Sequence, residues 1–212
     1  MTGSDDAAGL HTARQLVRAE AAALAALESQ LDARLDTAAQ LILGQPGKVL
    51  TVGVGTSSHV ARRLAHLLSV TGTPALFMHP VDGLHGSLGA IQAGDVVIAL
   101  SRGGESDELN EFARRAKKLG AAIVVLTAEA GSELGSIGDL TVALSTPAGA
   151  DPGEILAMGS TLVTAAWGDA LAVTLMERRG YSWDAVLYSH PGGAVGKRAA
   201  DDSAQSGAPR LT

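Results

Sequence analysis

Apolar positions along the chain follow two successive patterns. From Leu10 to Leu43, the residues Leu16, Leu24, Leu27, Leu31, Leu35 and Leu41 recur near helical spacing among alanines, which predicts one long helix or two shorter ones. Gly44, Pro46 and Gly47 close this stretch, so residues 1–46 read as a helical leader. The pattern then changes to short, nearly continuous apolar runs: KVLTVGVG from Lys48, PALFMH from Pro74, DVVIALS from Asp95, AAIVVLT from Ala121 and LTVALS from Leu140. Helical segments run through Leu68, from Ser106 to Leu119 and from Ser132 to Ile137. Five such runs alternating with helices predict an α/β domain over residues 47–197, with a five-stranded parallel sheet covered on both faces. A last helix, Met158 to Arg178, is apolar almost all round, which predicts burial against another subunit as well as the sheet. After His190 the chain turns small and polar, and residues 198–212 are expected to form a disordered tail.

Sheets of this kind bind ligands beyond the carboxyl ends of their strands, near the point where strand order reverses. The polar turns that should converge there are Gly53–Ser58, His79–Gly86, Ser101–Glu108 and Pro147–Ser160. In the first, Gly53 and Gly55 let backbone approach a ligand closely, and Thr56, Ser57 and Ser58 add hydroxyls where unpaired amides of a helix start point outward. This is an anion cradle without the third glycine of a dinucleotide fingerprint or the Gly-Lys-Ser/Thr of an ATP-binding turn. A tight turn with Ser57 as a helix cap is the plainer alternative. The second turn, LSRGGESDEL, repeats the theme: Ser101, Ser106 and the amides around Gly103 can wrap a phosphate dianion, with Arg102 either neutralising it or facing water. Glu105 and Asp107 equally suit the first turn of a helix, where acids favour the helix dipole.

Charge and composition narrow the ligand. A formal net charge of −6 and only 3% aromatic residues argue against a nucleic-acid surface, which needs a basic stripe or stacking platforms. A small anion held by local amides is compatible with an acidic protein. The absence of cysteine excludes disulfides, thiolate metal sites and thiol nucleophiles. The histidines give only a weak metal signal without a close carboxylate partner in sequence, so no metal and no cofactor are expected. Neither a secretion signal nor an apolar run of bilayer length is visible, which predicts a cytoplasmic protein with no membrane partner.

The stretches VGVGTSSHVARRLAHLLSVTGTPALFMHP, LHGSLGAIQAGDVVIALSRGGESDEL, GDALAVTLMERRGY and SHPGG resemble, in order and spacing, the sugar isomerase (SIS) domain of the arabinose 5-phosphate isomerases. The likeness runs from about Gly47 to Gly196. It implies a three-layer, flavodoxin-like fold and a phosphosugar ligand bound by a homodimer or homotetramer. Many such isomerases carry CBS modules after this domain, and none is expected within this sequence. By position, the resemblance implies that Ser57, Ser101 and Ser106 hold the sugar phosphate, with Gly55, Thr56, Arg102 and Gly103 in the same two turns. It places Glu105, His85 and His190 in the active site, and in the family such a histidine can reach the site across a subunit boundary. Three positions depart from the family pattern. Thr56 stands where these isomerases carry lysine, Gly103 replaces the second serine of Ser-x-Ser-Gly-Glu, and Gly149 aligns with a catalytic glutamate.

Aldose–ketose isomerisation through an enediol needs one group to open the sugar ring and another to move a proton between neighbouring carbons, each positioned group giving roughly 10²- to 10⁴-fold in rate. His85 or His190 is the candidate ring-opening acid. Asp151 and Glu154 are the carboxylates left in the departing segment, with Glu154 preferred as transfer base and a helix-start acid as its plainer role. Two functions therefore stand: a cofactor-free isomerase of arabinose 5-phosphate/ribulose 5-phosphate type or of a related phosphosugar, and a non-catalytic phosphosugar sensor.

Overall fold

A computed structural model describes residues 3–192. The predicted tail and the last residues of the predicted 47–197 domain lie outside the described residues. The leader forms two helices, α1 (Gly3–Leu27) and α2 (Ala33–Gly44), separated by a 3₁₀ turn at Glu28–Gln30. The break follows from Asp32, whose carboxylate accepts a hydrogen bond from the Arg34 amide at 2.9 Å and starts α2 afresh.

The five apolar runs become β1 (Val49–Gly53), β2 (Ala75–Phe77), β3 (Val96–Leu100), β4 (Ala122–Thr127) and β5 (Leu140–Ala143). They form one all-parallel sheet in the order β2-β1-β3-β4-β5, the flavodoxin-like arrangement. The helices between them are α3 (Thr56–Val70), α4 (Pro80–Leu84), α5 (Asp107–Lys118) and α6 (Glu133–Ile137), followed by α7 (Gly159–Arg179) and α8 (Trp183–Tyr188).

Alternate residues of each central strand enter separate cores. Val96, Ile98 and Leu100 of β3 pack with Leu64 and Leu68 of α3, Trp167 and Leu171 of α7, and the leader residues Ala38 and Ile42. Val97 and Ala99 face the opposite layer, with Leu109, Phe112 and Ala116 of α5 and Leu134 of α6. Burial on both faces explains why the strand runs read as continuous rather than alternating. It also accounts for α7, whose apolar circumference is covered in large part within the chain by α1, α2 and α3.

Three local expectations change. The run PALFMH yields only a three-residue edge strand with Leu76 exposed. The turn after it contains α4, which starts on Pro80 with the Val81 amide donating to His79 Nδ1 at 3.3 Å. The last sheet helix begins one residue late, at Gly159, because residues 152–154 form a separate 3₁₀ turn and Asp151 holds the start of α7. Among the described residues no helix is long and apolar enough to cross a membrane.

Strand order reverses between β1 and β3, where Gly53 and Leu100 pair across the sheet. The turns that follow these two strands therefore leave the sheet side by side.

Candidate active site

Beyond β1, Gly55 has φ +54° and caps α3 with its backbone alone; Ser58 Oγ donates to the Gly55 carbonyl at 2.7 Å. A side chain at 53 would press on the Ser57 backbone, with its Cβ 2.9 Å from the Ser57 carbonyl oxygen. Glycine at 53 and 55 is thus what lets the strand turn at once into α3. Ser57 is left free of a capping role and faces a cleft.

Beyond β3, Ser101 Oγ accepts from the Gly104 amide at 3.0 Å, and Gly104 adopts φ +69°. Its carbonyl in turn accepts from the Leu134 amide at 3.1 Å and from Asn110 Nδ2 at 3.2 Å, so this turn is fastened to α5 and α6. Gly103 has open space where a Cβ would stand. Ser106 is the N-cap residue of α5 but makes no side-chain cap bond.

The cleft lies between these turns and the start of α7; its cavity volume is about 20 Å³, room for a water-sized group, and it opens to solvent. Ser57, Ser101, Arg102, Thr127, Ser160, Thr161 and Thr164 supply its polar lining. Ser160 and Thr161 come from α7, and the sequence pattern did not single them out. Ser160 is 8% exposed, and its Oγ stands beside the Asp151 carboxylate without a well-aligned hydrogen bond to any described residue. A buried hydroxyl on the wall of a cleft, beside the amides that begin a long helix, is a ready donor to an anion. Thr161 Oγ1, by contrast, is satisfied by the carbonyls of Ala157 and Met158 at 3.0 and 2.7 Å.

One guanidinium ties the walls together. Arg102 Nε lies 3.0 Å from Asp151 Oδ2, Arg102 Nη2 lies 3.0 Å from Glu154 Oε2, and Nη1 donates to the Glu154 carbonyl at 3.2 Å. Asp151 is buried, and its Oδ1 accepts from the amides of Met158 and Ser160 at 2.9 and 3.0 Å, capping α7. Burial pushes the Asp151 carboxyl up, but Ser160, the Arg102 guanidinium and the Met158 amide outweigh it and hold the group below its ordinary value. Glu154 is exposed and has φ +53°, a left-handed conformation that a non-glycine residue adopts only when its surroundings hold it there. Arg102 is thus paired within the protein rather than facing water alone.

The cleft brings together Ser57, Ser101 and Arg102, with Glu154 at its rim through Arg102. Gly55 and Gly103 shape the two turns. Thr56 faces a different groove, between α1, α3 and α7, shared with Leu24, His59 and Arg63. Glu105 is turned toward α6, where its Oε1 accepts from the Glu133 amide at 3.1 Å. His85 ends α4 on the surface, and His190 follows α8 with its Nδ1 2.7 Å from the Val186 carbonyl oxygen. Ser106, Glu105, His85 and His190 do not line the cleft of the single chain. Among the described residues, no three His, Cys, Asp or Glu side chains are grouped to hold a metal.

Comparison with known proteins identifies the family. Residues 42–174 match the SIS domain family. The chain is 35% identical over 189 residues to arabinose 5-phosphate isomerase KdsD of Pseudomonas aeruginosa, covering 89% of this chain and 58% of that protein. It is likewise 35% identical over 189 residues to arabinose 5-phosphate isomerase GutQ of Shigella flexneri, covering 89% of this chain and 59% of the relative. The chain thus spans somewhat over half the length of these curated relatives. Among solved structures, a protein of Escherichia coli CFT073 in complex with arabinose 5-phosphate superposes with a TM-score of 0.83 at 29% identity, covering 90% of this chain and all of that one. A candidate sugar-phosphate isomerase of Listeria monocytogenes superposes with a TM-score of 0.84 at 30% identity, covering 91% of this chain and all of that one. Fold, turns and family match converge: the chain belongs to the SIS domain family.

Proposed function

We propose that this chain is a phosphosugar isomerase that interconverts an aldose phosphate and a ketose phosphate, of arabinose 5-phosphate/ribulose 5-phosphate type. The observation that carries the reading is the cleft at the β1/β3 switch point, lined by Ser57, Ser101 and Ser160 together. The likeness to arabinose 5-phosphate isomerases and to a structure in complex with arabinose 5-phosphate supports the choice of substrate. No cofactor is required: a base removes the proton next to the carbonyl, the enediol forms, and the proton returns at the neighbouring carbon.

In this reading the hydroxyls and the helix-start amides hold the phosphate, with the Ser106 turn behind them. Glu154, at the rim, is the carboxylate for proton transfer, with Glu105 on the adjoining turn. His85 and His190 lie outside the single-chain cleft, so ring opening falls to a histidine supplied across a subunit boundary of a homodimer or homotetramer acting in the cytoplasm. That placement of the histidines is also what a phosphosugar sensor would show, since a sensor needs the phosphate cleft and no proton relay.

Ser101→Ala tests the shared part of both readings. Hydrogen bonds to charged groups contribute about 1.5–3 kcal/mol, so the variant should bind a pentose phosphate roughly 10- to 100-fold more weakly. Titration calorimetry beside a melting curve checks it. Unchanged affinity in a folded variant would remove the cleft as the phosphate site.

A further inference from the structure

Among the described residues, Arg102 is the only charged side chain lining the cleft, and it is engaged by two carboxylates. The two are unlike. Asp151 is buried and fixed by two amides of α7, so it cannot leave without uncapping the helix. Glu154 is 63% exposed at its side chain, stands in a left-handed backbone conformation, and meets the Nη edge of the guanidinium. We propose that Glu154 is an internal stand-in for the ligand's phosphate, a carboxylate that occupies the Nη edge of Arg102 and is displaced when a dianion enters, so that it sets selectivity for phosphorylated sugars.

Charge balance supports this. With both carboxylates in place, the group of Arg102, Asp151 and Glu154 already carries a net negative charge. A phosphate dianion entering the cleft would then meet like charge, with the cleft's own cation already engaged. Once the Glu154 carboxylate swings out, the Arg102–Asp151 pair is neutral and Nη2 is free to donate to a phosphate oxygen, while Nη1 stays on the Glu154 carbonyl and Nε on Asp151. Asp151 keeps the guanidinium aimed, because the carboxylate that holds Nε also fixes the α7 start carrying the Ser160 hydroxyl. An unphosphorylated sugar offers no anion to displace Glu154 and leaves the pair closed. Displacement also frees the Glu154 carboxylate beside the bound sugar, where the proposed reaction needs a base. The inference rests on the reading of this cleft as a phosphate site and adds to it what the phosphate must replace.

Binding of inorganic phosphate, followed by ³¹P line broadening and calorimetry, tests the idea without turnover. Glu154→Gln should bind phosphate about 3- to 10-fold more tightly than the unaltered protein, in the range of a partly exposed ion pair and its repulsion. The gain should vanish when Arg102→Gln is added. Glu111→Gln removes the same charge from α5, where Glu111 pairs with Arg115, and should leave affinity nearly unchanged. Phosphate binding that is equal or weaker in Glu154→Gln overturns the inference while leaving the cleft reading intact. An equal gain in Glu111→Gln also overturns it, by tracing the effect to overall charge. Absence of phosphate binding in both the unaltered protein and Glu154→Gln overturns the inference and the cleft reading together.

Discussion

Asp151→Ala is expected to lower the melting temperature by roughly 2–12 °C and to weaken phosphosugar binding in the same variant. Asp151 Oδ1 accepts the amides of Met158 and Ser160 at the head of α7; the substitution leaves the Ser160 amide without that acceptor, while the Met158 amide keeps the Leu156 carbonyl at 2.7 Å. A buried donor left unmade costs about 1–3 kcal/mol, and a domain of this size melts about 2–4 °C lower per kcal/mol. The binding loss has a separate origin, because Arg102 Nε loses the buried carboxylate that aims it into the cleft. Asp151→Asn separates the two: it keeps an acceptor for the amides and removes the charge, so affinity should fall with a smaller change in melting.

Acid should act on the same group. The Asp151 carboxyl is held below its ordinary value in the folded protein, as is that of Asp95, where burial is outweighed by the Lys48 ammonium and by the amides of Gln92 and Lys48. A depressed carboxyl contributes stability above the unfolded value of about 3.9 and loses it as pH falls through the folded value. Stability should therefore drop below about pH 4, and less steeply in Asp151→Ala. Equal acid slopes would show that Asp151 is not among the groups responsible.

Gly104→Ala is the second large effect. At φ +69° an alanine is strained, and its Cβ would fall inside the Ser132 side chain, which accepts the Gly135 amide at the start of α6. Left-handed strain of about 1–2 kcal/mol and overpacking of about 1–3 kcal/mol together predict a loss of roughly 2–5 kcal/mol. The same turn positions Ser101, whose Oγ accepts the Gly104 amide, so phosphate affinity should fall with stability. Gly103→Ala is the control: its Cβ meets open space, and melting should be nearly unchanged. Denaturant unfolding of the two variants checks the contrast, and equal losses would refute the assignment of the strain to Gly104.

Features carried by neighbouring residues were legible in the sequence. The five strands and both glycine-hydroxyl turns follow from local patterns, and parallel pairing places Gly53 beside Leu100 at the switch point. Ser160 was less accessible, because its role depends on the segment after β5 folding back so that Asp151 caps α7 nine residues ahead. Arg102 could be proposed as a phosphate ligand from its turn, but Glu154 stands 52 residues away, and no local period joins them. The division of the leader at Asp32 was readable in principle as a capping residue. His85 and His190, which the resemblance assigns to the active site, both lie outside the cleft of the single chain, one at the end of α4 and the other after α8.

A phosphosugar isomerase working in this cleft would move a proton between neighbouring carbons of its substrate. The most direct measurement is NMR in heavy water, with the purified protein and arabinose 5-phosphate or ribulose 5-phosphate. Deuterium at the carbon next to the carbonyl is expected together with an aldose–ketose mixture, both abolished by His190→Ala. Binding of these sugars without deuterium incorporation would contradict the isomerase reading and leave a phosphosugar-binding protein in its place.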